Sequence, residues 1–169
     1  EVQFYLFIMI RLYLKTRKPY FENNYSMNMS DFSISSSDFK DGGEIPKECG
    51  YKHGNKTPSI DYEFSEDEPH AHALIMDDPD AMKAVGKVWV HWLEYSGAFD
   101  EYVTNGKNDF GELGYGGPAP PDGRHTYVFK LYDLDSDLDL EEGFSKQELE
   151  DAMKGHILAE AKLTGTFAS

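Results

Sequence analysis

Two histidines, a crowded run of aspartates, a tyrosine and a loop of glycines and prolines are the residues of this 169-residue chain with the most chemical potential. Asp77-Asp78-Pro79-Asp80-Ala81 sets three carboxylates around a turn that Pro79 stiffens, restricting Asp78 as well. His91 lies within Trp89-Val90-His91-Trp92, and His125 stands two residues before Tyr127. Gly114-Tyr115-Gly116-Gly117-Pro118-Ala119-Pro120-Pro121 joins proline stiffness to glycines whose backbone N–H groups are open to a small anion. Imidazoles donate to oxyanions, and a carboxylate behind an imidazole fixes its tautomer or raises its pKa. Brought to one end of a sheet, these segments would form a small polar pocket with a rigid rim. Each also has a plainer reading: aspartate and proline are ordinary turn residues, a mid-strand histidine is often a satisfied core residue, and a Gly/Pro loop is often only a stiff connection.

Several other chemistries are excluded. Asp133, Asp135, Asp137 and Asp139 look like a calcium loop, but the sixth position is Leu138 instead of glycine and the twelfth is Phe144 instead of glutamate. That stretch reads as a solvated acidic connector. Dinucleotide-binding glycine spacing, a P-loop and Gly-x-Ser-x-Gly are all absent from the sequence. A single cysteine, Cys49, leaves no intrachain disulfide and no cysteine-based metal or redox motif, in keeping with a reducing compartment. The formal net charge of -15 repels a phosphate backbone, so nucleic acid is not an expected partner. No apolar run approaches the length of a membrane span.

The elements that must position these residues are mostly strands. Ser59 to Phe64 alternates, with Ile60, Tyr62 and Phe64 on one face; His70 to Asp77 places Ala71, Ala73 and Ile75 together. Val88 to Tyr95 is expected to present Trp89, His91, Leu93 and Tyr95 on a common face. His125, Tyr127, Phe129 and Leu131 share a face of a fourth strand, and Ala159, Ala161 and Leu163 alternate near the end. Ser145 and Glu148 form a capping box, and Leu149, Ala152, Met153 and His156 follow at helical spacing, with Gly155 marking the end. With no βαβ rhythm, a parallel doubly wound sheet is not expected.

The first 26 residues hold four basic and two acidic groups, so the acidic excess lies wholly after them. Phe4 to Ile10 is apolar but short, and the basic residues Arg11, Lys15, Arg17 and Lys18 follow it instead of preceding it as in a secretory signal. Residues 1–29 therefore read as a dispensable extension and 30–169 as one domain; an added edge strand and a membrane-surface anchor are the other readings of the extension.

Taken in order, the motifs resemble the phosphatidylethanolamine-binding protein family, in its bacterial and archaeal Raf kinase inhibitor-like branch. The matching pieces are Asp78-Pro79-Asp80-Ala81, Trp89-Val90-His91-Trp92, Asn108-Asp109-Phe110-Gly111, Gly114 to Pro121, Gly123-Arg124-His125-Thr126-Tyr127 and Gly155-His156-Ile157-Leu158-Ala159-Glu160-Ala161. The resemblance implies a mainly β fold of two antiparallel sheets with Greek-key connections and short peripheral helices. It also implies a pocket for phosphate, phosphoethanolamine-type or carboxylate ligands. By motif position Asp78 corresponds to the family's pocket aspartate, His91 and His125 to its histidines, Asp80 and Tyr127 to supporting residues, and Gly117 with Pro118 to the rim. The Asp78–Pro79 bond is a candidate cis peptide. Met82 stands where many members have proline, Thr126 where they have arginine and Ala119 where they have cysteine.

The expectation is thus a non-enzymatic cytoplasmic protein binding a small anionic ligand, with no cofactor, no metal and no stable membrane association. Two other readings stand beside it: an inhibitor of a kinase or protease acting through surface loops, with its protein partner unknown, and a metal-dependent or acid–base hydrolase built on two histidines and a carboxylate.

Overall fold

Alternating apolar and polar residues give each strand of this chain two differently buried faces, and the computed structural model, which describes residues 32–64 and 70–168, assembles them into two sheets. The proposed extension over residues 1–29 lies outside the described residues. In chain order the elements are β1 (Ser33–Ser35), β2 (Gly43–Glu44), a 3-10 turn (Lys47–Cys49), β3 (Asp61–Glu63), β4 (Ala71–Asp78), α1 (Ala81–Val85), β5 (Trp89–Ser96), β6 (Thr104–Asn105), β7 (Arg124–Leu134), α2 (Lys146–Ala152) and β8 (Ile157–Ala168). The small sheet pairs β1 with β3, and the large one runs β2-β8-β7-β4-β5-β6.

Within the large sheet β4, β5 and β6 are consecutive antiparallel neighbours, and β7 returns to pair with β4. That order, fourth strand beside the first of three, is a Greek key. All pairings are antiparallel except β2 with β8, a short parallel edge contact. The fold is mainly β with two sheets, as expected; the expectation of purely antiparallel sheets is corrected at that edge, where β2 runs alongside the end of β8.

The large sheet carries a core on each side. Leu74 and Met76 of β4, Trp92 of β5, Tyr127, Phe129 and Leu131 of β7 and Leu163 of β8 pack with Phe32, Ile34, Phe39 and Ile45, under the small sheet's Tyr62. The opposite face buries Ala71, Ala73, Ile75, Leu93 and Tyr95 against Phe144, Leu149 and Met153. The alternation expected for β3, β4, β7 and β8 is realised in these two clusters. α2 begins at Ser145, whose side chain and that of Glu148 form the expected capping box, and it closes at Met153 before Gly155 at φ 84. His156 lies past the helix and bonds Asp135 at 2.8 Å.

The expected face of β5 needs correction. Met76 pairs with Trp92 but Asp77 pairs with Val90, so β5 carries one extra residue, a β-bulge at His91. The bulge flips the alternation. Leu93 and Tyr95 pack on the side of α2, whereas Trp92 joins the core beneath the small sheet and His91 packs edge-on to Tyr127 at 5.1 Å. A second correction concerns Asp133. It lies within β7, is buried, and pairs with His70 Nδ1 at 2.8 Å, so it is no part of a solvated connector.

Candidate functional site

The site grows from the point where β4 ends. β4 alternates to its last residue, which puts Asp77 on the α2 side and Asp78 on the other. Both are 3% exposed. Asp78 Oδ1 accepts from the Ala81 backbone N–H at 3.1 Å, and Oδ2 faces His125 Nδ1 at 2.7 Å. The Asp78–Pro79 bond is trans, which corrects the cis expectation. Pro79 instead opens a turn in which its carbonyl accepts from Met82 N, and Asp80, in the αR region, leads into α1. Asp80 Oδ2 accepts from Thr126 N at 2.9 Å and so ties the exit of β4 to the start of β7.

The two histidines are held differently. His91 Nδ1 lies 2.6 Å from the Gly116 carbonyl, and Gly116 N donates back to the His91 carbonyl at 2.8 Å. A carbonyl only accepts, so Nδ1 carries the proton and Nε2 presents a lone pair. Among the described residues Nε2 has no hydrogen-bond partner. Burial lowers the His91 pKa, against the opposing pull of Gly116 and Asp78, so the ring is neutral in the free protein at pH 7. His125 has a carboxylate on each nitrogen: Asp78 at Nδ1 and Asp122 at Nε2, the latter at 3.2 Å. Burial opposes its charge, but the hydrogen bonds and fields of Asp78 and Asp122 prevail and raise its pKa. Tyr127 is fully buried. Its hydroxyl makes no hydrogen bond of normal geometry, and burial followed by the nearby Asp78 charge pushes its pKa well above the usual phenol range.

A cavity of about 260 Å³ opens here, lined by Asp78, Ala81, Val85, Trp89, His91 and Phe110, with Tyr51, Lys52, Ala119 and Pro121. Of the residues singled out from sequence, Asp78 and His91 face it directly. His125 stands behind Asp78, Asp80 braces the strand ends, and Tyr127 lies beneath His91. Gly117 and Pro118 are buried in the wall. The Gly117 amide donates to Asn55 Oδ1 at 2.7 Å, and the Pro118 carbonyl accepts from Tyr51 N at 2.9 Å.

The expectation that glycine amides of this loop stay open to an anion is therefore corrected. The amides of Gly114, Gly116 and Gly117 are all spent on protein oxygens, which clamp the loop in place. Glycine at 117 serves close approach instead: a Cβ there would lie 2.0 Å from the Cys49 carbonyl oxygen.

Sequence reasoning did not anticipate the aromatic wall or Asp122. Tyr51 stacks on Phe110 with ring centres 4.0 Å apart, and Trp89 meets Phe110 edge-on at 5.4 Å. Lys87 sits over the Trp89 ring at 4.9 Å and pairs with Asp109, whose other oxygen accepts from Val90 N. Asn108 folds the intervening loop, accepting from Phe110 N and Glu112 N and donating to the Gly114 carbonyl. The Asn108-Asp109 pair inside a glycine-flanked stretch was the available signal for that scaffold. Asp122 had one as well, lying three residues before His125.

A mainly β domain with a Greek-key sheet and a small histidine–carboxylate cavity at the end of its central strands is the class of protein this architecture defines. The family model described as phosphatidylethanolamine-binding protein matches residues 35–168, and the chain belongs to that family. It is 39% identical over 150 residues to a UPF0098 protein of Methanothermobacter thermautotrophicus, covering 80% of this chain and 97% of that one. A UPF0098 protein of Chlamydia trachomatis is 36% identical over 146 residues, covering 79% and 97%. Among solved structures, a phosphatidylethanolamine-binding protein homologue from Chlamydia trachomatis superposes with a TM-score of 0.74 at 33% identity, covering 82% of this chain and 98% of that one. YbcL of E. coli shares the fold, with a TM-score of 0.70 at 23% identity over 81% and 98% of the two chains. No helix among the described residues is long and apolar enough to cross a membrane.

Proposed function

We propose that the cavity binds a small oxyanion that brings or acquires a proton: an acid phosphate, a phosphoethanolamine-type headgroup or a carboxylic acid. The observation that carries this reading is the unpartnered Nε2 of His91, held by the Gly116 carbonyl in the tautomer that offers a lone pair beside Asp78. A fully ionised anion gains nothing from that lone pair. A ligand hydroxyl can donate to it, or the ring can take up a proton as the anion enters and then donate to it. Lys52 at the lining supplies positive charge, and Tyr51, Trp89 and Phe110 form aromatic walls.

The reading is one of binding and not turnover. The one hydroxyl among the lining side chains, that of Tyr51, donates to Glu112 at 3.0 Å, and both nitrogens of His125 are occupied by carboxylates. Among the described residues lining the cavity, no hydroxyl or thiol stands free beside a base. The acidic surface makes a soluble ligand a better match than an anionic bilayer.

Titration with inorganic phosphate, followed through the imidazole NMR signals, tests the reading. The His91 Nε2 signal is expected to move on protonation or hydrogen bonding. Calorimetry in two buffers of different ionisation enthalpy should register proton uptake, and binding should tighten as pH falls toward about 6. Unmoved His91 signals at phosphate on the order of 10 mM would overturn it.

A further inference from the structure

We infer that the seam between the two sheets is an acid-sensitive latch: the rings of His70 and His72 seat the end of β3, and charging His72 releases the small sheet while the large one stays folded. The latch is separate from the cavity and independent of what the cavity binds.

The small sheet is lightly attached. β1 and β3 are three residues long and pair only with each other. Among the described residues no ion pair, backbone bond or side-chain hydrogen bond joins either strand to the large sheet. Ring packing and apolar packing hold it instead. His70 and His72 are two residues apart at the start of β4 and share a face. Phe64, the residue after β3, stacks on His70 with ring centres 4.9 Å apart and planes 10° apart. Phe64 also meets His72 at 5.5 Å, and Tyr62 of β3 meets the same ring edge-on at 5.4 Å.

The two histidines differ in their anchorage. His70 Nδ1 bonds buried Asp133 of β7 at 2.8 Å. Asp133 is also the cross-strand neighbour of His72, but its bond goes to His70. The one hydrogen bond of His72 among the described residues is long, 3.4 Å from Nδ1 to the His70 carbonyl. Glu94 of β5 lies on the same side of the sheet, opposite Leu74. Burial raises its pKa, with Trp92 opposing, and burial followed by Glu94 holds the Tyr62 phenol above its usual range. β1 brings Ile34 to this face and β8 brings Ala159, Ala161 and Leu163, none of which ionises.

Burial lowers the pKa of His72, against the pull of the His70 carbonyl and Asp133. The seam is therefore complete above about pH 6.5 and weakens as pH falls through the folded value. A charged His72 ring loses hydration beneath Phe64 and Tyr62. Their π faces return only part of that loss, and the nearby carboxylate is committed to His70. Lifting β3 returns the ring to water. The large sheet does not need to open with it, because its long ladders between β4, β7 and β8 involve no small-sheet residue.

Amide hydrogen exchange of the full chain, expressed as protection factors, tests the latch. Between about pH 7.5 and about pH 5, protection of β1 and β3 should fall about tenfold further than that of β7 and β8. His72→Phe, which keeps a ring against Phe64 and Tyr62, should abolish the difference, as should His72→Gln. Glu94→Gln should leave it in place. An equal fall in every strand would mean opening of the whole domain and would overturn the inference. So would a difference that persists in both His72 variants, or one that disappears in Glu94→Gln.

Discussion

Asp77 and Asp78 are neighbours in sequence, equally buried, and face opposite sides of the large sheet. On the α2 side, Asp77 Oδ2 is met by two lysines, Lys146 at 2.7 Å and Lys130 at 3.3 Å, both partly in solvent. On the cavity side, Asp78 is met by a histidine and a backbone amide. The first arrangement is an ion pair with two lysines. The second joins a carboxylate that lines the cavity to an imidazole whose charge burial opposes but whose pKa Asp78 and Asp122 raise. The difference lies in the partner and not in the carboxylate: the same residue type, one position apart, is tied to lysines on one face and to a histidine beside a cavity on the other.

Matched substitutions on the two faces would sharpen or break that contrast. The largest effect is expected for Asp78→Ala, which strands a buried imidazolium and the Ala81 amide. A loss of about 3 kcal/mol in denaturant unfolding should accompany loss of the His91 response to phosphate. Gly117→Ala should cost about 2–3 kcal/mol, because the new Cβ collides with the Cys49 carbonyl and forces the clamped loop outward. Asp77→Asn should cost less, about 1–2 kcal/mol, since both lysines can turn to water, and it should leave phosphate binding unchanged. Gly155→Ala, with open space around it and only the left-handed backbone to strain, should cost about 1 kcal/mol. If Asp77→Asn weakened phosphate binding as much as Asp78→Ala, the two faces would not be functionally separate.

The smallest signal is the pH dependence of stability, in which the two histidines have opposite signs. His91 titrates lower folded than unfolded, so its contribution is present above about pH 6.5 and is lost as pH falls through the folded value. His125 titrates higher folded than unfolded. Its contribution is complete below about pH 6.5 and is lost as pH rises through the folded value. Replacing His125 with Gln should therefore flatten the loss of stability above pH 6.5, and His91→Gln should flatten the loss below it. Unfolding midpoints across the range measure both.

Much of this was legible before the structure. Alternation in β4, β7 and β8 placed the apolar faces, and the Ser145–Glu148 capping box located α2, because both are local signals. The order of motifs pointed to the family and to Asp78, His91 and His125. What could not be read was set by contacts far along the chain. The bulge at His91 depends on its register against β4, not on its own composition, and it moved Leu93 and Tyr95 to the other face. The amides of Gly116 and Gly117 looked free because their acceptors, the His91 carbonyl and Asn55 Oδ1, are remote in sequence. Asp122 looked like any turn aspartate until the fold set it against His125.

The wall of the cavity joins Cys49 to Asn55 with Gly117 and Pro118, through the Tyr115 hydroxyl on the Cys49 carbonyl, the Gly117 amide on Asn55 and the Tyr51 amide on Pro118. These links bridge more than sixty residues of chain, so the hollow exists only once distant halves of the domain have met. A molecule seated there would hold those halves together, and its affinity would register as a rise in melting temperature of the whole domain.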